Sequence, residues 1–278
     1  MRHLLFTDLD GTLLNHDDYS YADALPAIER LSKLAVPIIM VTSKTRAEVE
    51  VLQRDMGLEE PFIVENGGGV FFPGRYGDLK IPSSTMASPY RLVTLGVPYS
   101  VVRRFVEDRR DRFDIEGFGD MGAERIAAIT GLSATQARLA EQRDFTEPFL
   151  LADPDQLSAL AEEAAGKGLS VTTGGRFYHL IGEHQDKGRA IDVVTEIFRG
   201  HWGADVETIA LGDSPNDLPM LERVVYPVVI PRVSGPPLEL EREDVQVASR
   251  EGCRGWGDSV LELIEKLYSS DLPGSEPD

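Results

Sequence analysis

The run LLFTDLDGTLL, residues 4 to 14, constrains the fold more than any other stretch of the chain. Its apolar half reads as a buried strand, and it breaks into two carboxylates one residue apart, Asp8 and Asp10, followed by Gly11. A turn explains part of this, because Asp-Gly is a common turn signal and Asp tolerates turn geometry. It leaves Asp8 without a role. The pattern returns near the other end, where the apolar run VETIALGDS breaks into Asp213.

Between these runs the periodicity alternates. Leu25, Ile28, Leu31 and Leu34 mark one face of a helix, VPIIMVTS reads as a strand buried on both faces, and Val49, Leu52 and Met56 mark a second helix that stops at Gly57. Toward the C-terminus, Ile191, Val194 and Phe198 predict a helix ending at Gly200, and DSVLELIEKLY predicts a closing amphipathic helix. Strand and helix in alternation imply a parallel sheet. Residues 1–85 and 186–278 are therefore expected to form one α/β core domain, a doubly wound, Rossmann-like parallel sheet.

Residues 86–185 read differently, with helical patterns at VPYSVVRRFVEDRRDRF, GAERIAAITG, SATQARLAEQ and PDQLSALAEEAAGKG, and strand-like stretches at FTEPFLLA and LSVTTGGRFYHLIGE. An α+β insertion between two halves of one sheet is expected to pack over the strand ends as a mobile cap. Phe149, Phe177 and Tyr178 read as core of that insertion. The acidic, proline-containing tail from Ser269 reads as frayed.

Composition excludes several classes. The 278 residues carry a net charge of −19, which argues against a nucleic-acid surface, since such surfaces neutralise phosphates with Lys and Arg. A single cysteine, Cys253, permits neither an internal disulfide nor a thiolate zinc site, and the five histidines show no metal-ligand pairing. The opening apolar run is too short for a signal peptide and no later run approaches a membrane span, so a cytoplasmic protein with neither nucleic-acid nor membrane partner is expected.

Ligands of open α/β sheets bind outside the carboxyl ends of the strands. Three strand ends here carry polar residues: Asp8 and Asp10, then Ser43, then Asp213 with Asp217 in LGDSPND. Carboxylates gathered in a small space repel unless a cation joins them, and hard oxygen ligands without His or Cys suit Mg²⁺. Asp8 and Asp213 are the expected side-chain ligands, with the Asp10 carbonyl as a third. Lys187, just after the insertion and at the start of a helix, is the expected positive partner.

DLDGT, Ser43, Lys187 and GDSPND, in this order and around a cap-sized insertion, resemble the four motifs of the haloacid dehalogenase superfamily of phosphohydrolases. An insertion between the second and third motifs resembles the superfamily's C2-type cap. VTSKTR, ENGGG, GFGDM, RDFTEPF, GGRFYHL and GDSPNDLPML together resemble the mannosyl-3-phosphoglycerate phosphatases over nearly the whole chain. Thr146 stands where that family leads one to expect serine, a change that keeps the hydroxyl.

The resemblance implies a nucleophilic Asp8 that forms an aspartyl-phosphate, and an Asp10 that protonates the leaving alcohol and then deprotonates the attacking water. Ser43, Lys187 and backbone N–H groups near Leu9 and Asp10 would stabilise the phosphoryl oxygens. Ser214, Asn216 and Asp217 would orient metal-bound water or touch phosphate. It further implies a small phosphorylated glycoside as substrate, mannosyl-3-phosphoglycerate first, and a product of the compatible-solute type. Such a substrate carries a carboxylate, for which Lys44 and Arg46 are candidate partners; Arg143, Glu147, Arg176 and His179 are candidates for the sugar hydroxyls or the carboxylate, and Glu65 and Asn66 sit where a loop could reach substrate.

Other readings stay open at this level. A phosphatase for glucosyl-3-phosphoglycerate, sucrose phosphate or a hexose phosphate and a phosphomannomutase-like transferase fit the core motifs, whereas the intact set of acid, nucleophile, lysine and metal aspartates argues against a metal-binding or regulatory protein without activity. Monomer and homodimer are equally compatible with the sequence.

Overall fold

Strand β1 (Arg2–Thr7) lies inside a five-stranded parallel sheet in the computed structural model, which describes residues 1–174, 177–232 and 236–269. With β2 (Ile38–Met40), β11 (Val206–Gly212), β12 (Tyr226–Val229) and β13 (Gln246–Val247), the order is β13-β12-β11-β1-β2, every pair parallel. Successive residues of β1 face opposite sides, and both sides are covered. Leu5 packs with helices α1 (Leu25–Lys33) and α9 (Gly252–Tyr268), while Leu4 and Phe6 pack with α8 (Lys187–Trp202). Burial on both faces is why the strand reads as an unbroken apolar run.

Three local details differ from the sequence pattern. Leu25 is exposed, and Ala24 and Ala27 join Ile28 and Leu31 on the buried side. Helix α8 does not stop at Gly200. It continues to Trp202, whose ring packs edge-on against Phe198 one turn earlier, and ends at Gly203 in the left-handed conformation. The helix expected over residues 97–113 is divided into α3 (Tyr99–Glu107) and α4 (Arg110–Phe113). Helix α2 (Arg46–Met56) follows expectation, with a Thr45–Glu48 capping box at its start and Gly57 at its end.

A second sheet, antiparallel and four-stranded, is built by β3 (Phe62–Val64), β4 (Gly69–Pro73), β5 (Thr85–Ala87) and β6 (Tyr90–Thr94) in the order β3-β4-β6-β5. It joins the central sheet through a bridge from Val41 to Ile63. A third sheet contains β7 (Ile115–Gly117), β8 (Glu147–Leu151), β9 (Leu169–Gly174) and β10 (Phe177–Gly182), ordered β7-β8-β10-β9 and antiparallel throughout. Its helices α3, α4, α5 (Ala123–Thr130), α6 (Ala134–Ala140) and α7 (Leu157–Ala165) complete the α+β insertion, which has its own apolar cores. The fold is thus a parallel α/β core carrying an α+β cap. Arg176 and the tail from residue 270 onward lie outside the described residues.

Candidate active site

The register of the central sheet sets the site. Thr7 pairs with Leu211 on one side and Met40 on the other, so Asp8 leaves β1 level with the end of β11 and the start of the Val41–Ser43 segment. The ladder continues one step further, with Asp8 N–H donating to the Leu211 carbonyl at 2.9 Å. Thr7 Oγ1, which accepts from the buried Trp256 indole at 2.9 Å, donates to the Asp8 carbonyl at 2.7 Å. These bonds fix the backbone from which Asp8 projects.

Gly11 then turns the chain with φ +82°, and a Cβ there would stand 2.9 Å from Asp213 Oδ2. Both facts demand glycine. The bend keeps Asp10 on the same side as Asp8, and both line a cleft of about 370 Å³ with Ser43, Lys44, Asp213 and His179.

Lys187 has no solvent exposure and donates to Asp8 Oδ1 and Asp217 Oδ1, each at 2.6 Å. Burial works against its charge, but Asp217 and Asp8 together hold it protonated above the ordinary lysine range. The other oxygen of Asp217 accepts from the N–H groups of Asp213 and Ser214, each at 3.0 Å. Asp217 is thereby fully committed to holding its neighbours. The chain continues through Ser214 Oγ to Asn216 and from Asn216 to Asn66, at 2.6 and 2.9 Å.

One carboxylate oxygen each of Asp8, Asp213 and Asp217 lies within 4.8 Å of the others. Burial, and then the Asp217 charge, push Asp8 well above the usual carboxylate range and Asp213 up to about 7. Asp10 Oδ1 and Asp213 Oδ1 are buried without a hydrogen-bond partner. All-oxygen donors, mutual repulsion and orphaned acceptors fit a hard divalent cation such as Mg²⁺.

The remaining sequence candidates are dispersed. Lys44 reaches Asp10 at 2.9 Å and lies 3.8 Å from Glu48, whereas Arg46 turns to Glu50 on its own helix and does not line the cleft. His179 lines the cleft with its Nδ1 unpartnered; burial, Arg143 and Lys187 depress it to about 3, so its imidazole is neutral. Glu147 sits inside the cap, accepting from Tyr99, Arg103 and the Gly119 N–H.

Glu65, Arg143 and Thr45 join cap to core. Glu65 has no solvent exposure and accepts the N–H groups of Asp144, Phe145 and Thr146 at 2.8, 3.1 and 2.7 Å, with the Thr146 hydroxyl at 2.9 Å. Arg143 donates back to the Ser43 carbonyl at 2.8 Å, and Thr45 Oγ1 donates to the Leu139 carbonyl at 2.9 Å. Glu65 and Asn66 hold left-handed backbone angles, φ 51° and 56°, a strained geometry for non-glycine residues that these bonds maintain. Gly67 follows because a Cβ there would collide with the Asp186 carbonyl at 2.2 Å. Cleft residues that the sequence pattern did not flag include His16, Tyr19, Phe118 and Arg232; Phe177, expected in the cap core, lines the cleft as well.

A family model described as haloacid dehalogenase-like hydrolase matches residues 5–81 and 130–232. The chain belongs to the haloacid dehalogenase-like hydrolases. Among the relatives of this hydrolase, a glucosyl-3-phosphoglycerate/mannosyl-3-phosphoglycerate phosphatase of Persephonella marina is 45% identical over 95% of this chain and 98% of its own. A second phosphatase of that name, from Methanococcoides burtonii, is 40% identical over 96% of this chain and 98% of its own. The hydrolase is accordingly a phosphoric monoester hydrolase.

Solved structures agree on the fold. A Thermoplasma acidophilum protein superposes with a TM-score of 0.67 at 17% identity, covering 96% of this chain and 98% of that one. The sucrose-phosphatase of Synechocystis, solved with sucrose and phosphate, gives 0.62 at 18% identity with the same coverage.

Proposed function

We propose that this haloacid dehalogenase-like hydrolase is a Mg²⁺-dependent phosphatase of glycosyl-3-phosphoglycerates, mannosyl-3-phosphoglycerate first and the glucosyl compound second, releasing the glycosylglycerate and phosphate. The observation that carries the substrate class is the near full-length similarity to two phosphatases named for those compounds. The lysine-bridged carboxylates under a cap support the chemistry.

In this reading Asp8 and Asp213, with the Asp10 carbonyl, would hold Mg²⁺, which when bound neutralises charge on the phosphoryl oxygens. Asp217 positions Lys187 and the Asp213–Ser214 backbone, with Ser214 and Asn216 completing the outer ring. An Asp8 carboxylate oxygen attacks phosphorus, and the ester oxygen leaves with a proton from Asp10, giving an aspartyl-phosphate. Asp10 then takes a proton from water as that water attacks phosphorus, the Asp8–phosphorus bond breaks, and phosphate departs. Lys187 and Ser43 stabilise the phosphoryl oxygens throughout.

The domain division follows the same lines. Residues 1–85 and 186–278 would supply the chemistry and 86–185 most of the specificity; at the start of that span Thr85–Ala87 pairs with Tyr90–Thr94, which pairs in turn with Gly69–Pro73 of the core. Neutral His179, with its Nδ1 unpartnered on the cleft, is suited to sugar hydroxyls. Phosphate release with Mg²⁺ over a panel of mannosyl- and glucosyl-3-phosphoglycerate, sucrose phosphate and hexose phosphates tests the reading. Preference for the phosphoglycerates supports it, and preference for simple hexose phosphates removes the substrate assignment.

A further inference from the structure

Among the described residues, three cations line the cleft: Lys44, Arg143 and Arg232. Two of them are committed to the protein. Lys44 is paired with Asp10 at 2.9 Å and lies 3.8 Å from Glu48. Arg143, only 5% exposed, donates to the carbonyls of Ser43 and Ala140 and to Thr146. Lys187, beneath the cleft floor, is held by Asp8 and Asp217.

Arg232 differs. It follows β12, its nearest acidic group is Asp213 Oδ2 at 3.7 Å, and its side chain is 26% exposed. That separation exceeds hydrogen-bonding distance. Among the described residues its guanidinium makes no hydrogen bond, and the 3.7 Å ion pair with Asp213 is its one acidic contact, so it lines the cleft with N–H donors to spare. Sheet order places Arg232 and Lys44 on opposite sides of the Asp8 and Asp213 strand ends. A group attached to Asp8 would have Arg232 on its β12 side, away from the Lys44–Asp10 pair.

A phosphoglycerate has two anionic groups on one three-carbon unit. On the proposed mechanism its phosphate would be served by Ser43, Lys187 and the cation that the carboxylates would hold, and its carboxylate needs a separate donor. A guanidinium presents parallel N–H groups that match a carboxylate in a way an ammonium does not. We infer that Arg232 is a specificity-determining residue that binds the substrate carboxylate beside the transferring phosphoryl group. The inference rests on the proposed substrate class and deepens it.

The test compares a glycosyl-3-phosphoglycerate with the corresponding glycosylglycerol phosphate, in which a hydroxymethyl group replaces the carboxylate. The ratio of kcat/KM between the two is measured at saturating Mg²⁺ for the wild type, Arg232→Lys and Arg232→Gln. Wild type should favour the glycerate compound, and Arg232→Gln should reduce that ratio roughly 10- to 100-fold, mainly through KM, as expected for loss of hydrogen bonds to a charged group. Arg232→Lys should recover part of it. If the wild type shows no preference, the substrate class fails and the inference with it. If the wild type prefers the glycerate but Arg232→Gln keeps the full ratio, only the role of Arg232 is overturned. A shift in the Mg²⁺ requirement with an unchanged ratio overturns it as well, because a mere counter-ion for Asp213 behaves that way.

Discussion

The Lys187 ammonium lies 2.6 Å from Asp8 Oδ1 in a position with no solvent exposure, and Asp217 holds it from the other side at the same distance. Removing one partner of a buried ionic network leaves the others uncompensated. Lys187→Ala should therefore lower stability by roughly 3–5 kcal/mol, read from denaturant unfolding of the metal-free protein, and should abolish phosphate release. Asp217→Asn should weaken activity less than Asp8→Asn, since Asp217 acts by positioning. Equal stability of Lys187→Ala and wild type would remove this account of the network.

Asp10 is assigned to proton transfer, so its replacement should depend on the leaving group. Asp10→Asn should slow hydrolysis of an alkyl phosphate by roughly 10²- to 10⁴-fold. With p-nitrophenyl phosphate, whose leaving group needs no proton, the first step should remain fast and a burst of nitrophenol should precede slow turnover. Pre-steady-state absorbance measures this directly; equal slowing of both steps would argue against the assignment.

Magnesium and pH are linked through Asp213. Its folded-state value of about 7 lies above the ordinary carboxylate range because of burial and then Asp217. Between those values the native state binds a proton that the unfolded chain does not, so this group's contribution is complete at low pH and is lost as pH rises through about 7. Mg²⁺ binds the ionised form. The Tm gain on adding Mg²⁺ to chelator-treated protein should widen from about pH 6 to about pH 8, and calorimetry in buffers of different ionisation enthalpy should register proton release. A constant gain would contradict the linkage.

Glu65 anchors the cap by accepting three successive backbone N–H groups, from Asp144 to Thr146. Glu65→Gln keeps one acceptor and loses the charge. It should cost about 1–3 kcal/mol and raise hydrogen exchange at residues 144–146 ahead of the parallel sheet. Exchange unchanged at those amides would show that Glu65 does not hold the cap.

The core was legible because its strands are buried on both faces and break into polar residues where the sheet ends. That pattern puts Asp8, Asp10, Ser43 and Asp213 at strand ends that converge only if the strands are neighbours, and the parallel register brings them to one cleft. The antiparallel sheet of residues 62–94 has no comparable signal, since GVFFP is a continuous apolar run that follows two glycines and its partner YRLVT lacks clean alternation. Glu65 and Asn66 stood out by motif, but a carboxylate buried against cap amides and one facing ligand look alike in sequence. Arg232 carried no local signal, because its place in the cleft depends on β12 lying beside β11.

The claim on which the rest depends is that Asp8 carries the phosphoryl group. Acid quenching of the Mg²⁺-loaded protein during turnover of mannosyl-3-phosphoglycerate, followed by mass spectrometry of the peptide containing Asp8, measures it. The account predicts a phosphoryl adduct on Asp8, enriched in Asp10→Asn when p-nitrophenyl phosphate replaces the glycoside, and absent from an inactive Asp8→Asn. An Asp8→Asn protein that still releases phosphate, with no adduct in the wild type, would contradict it.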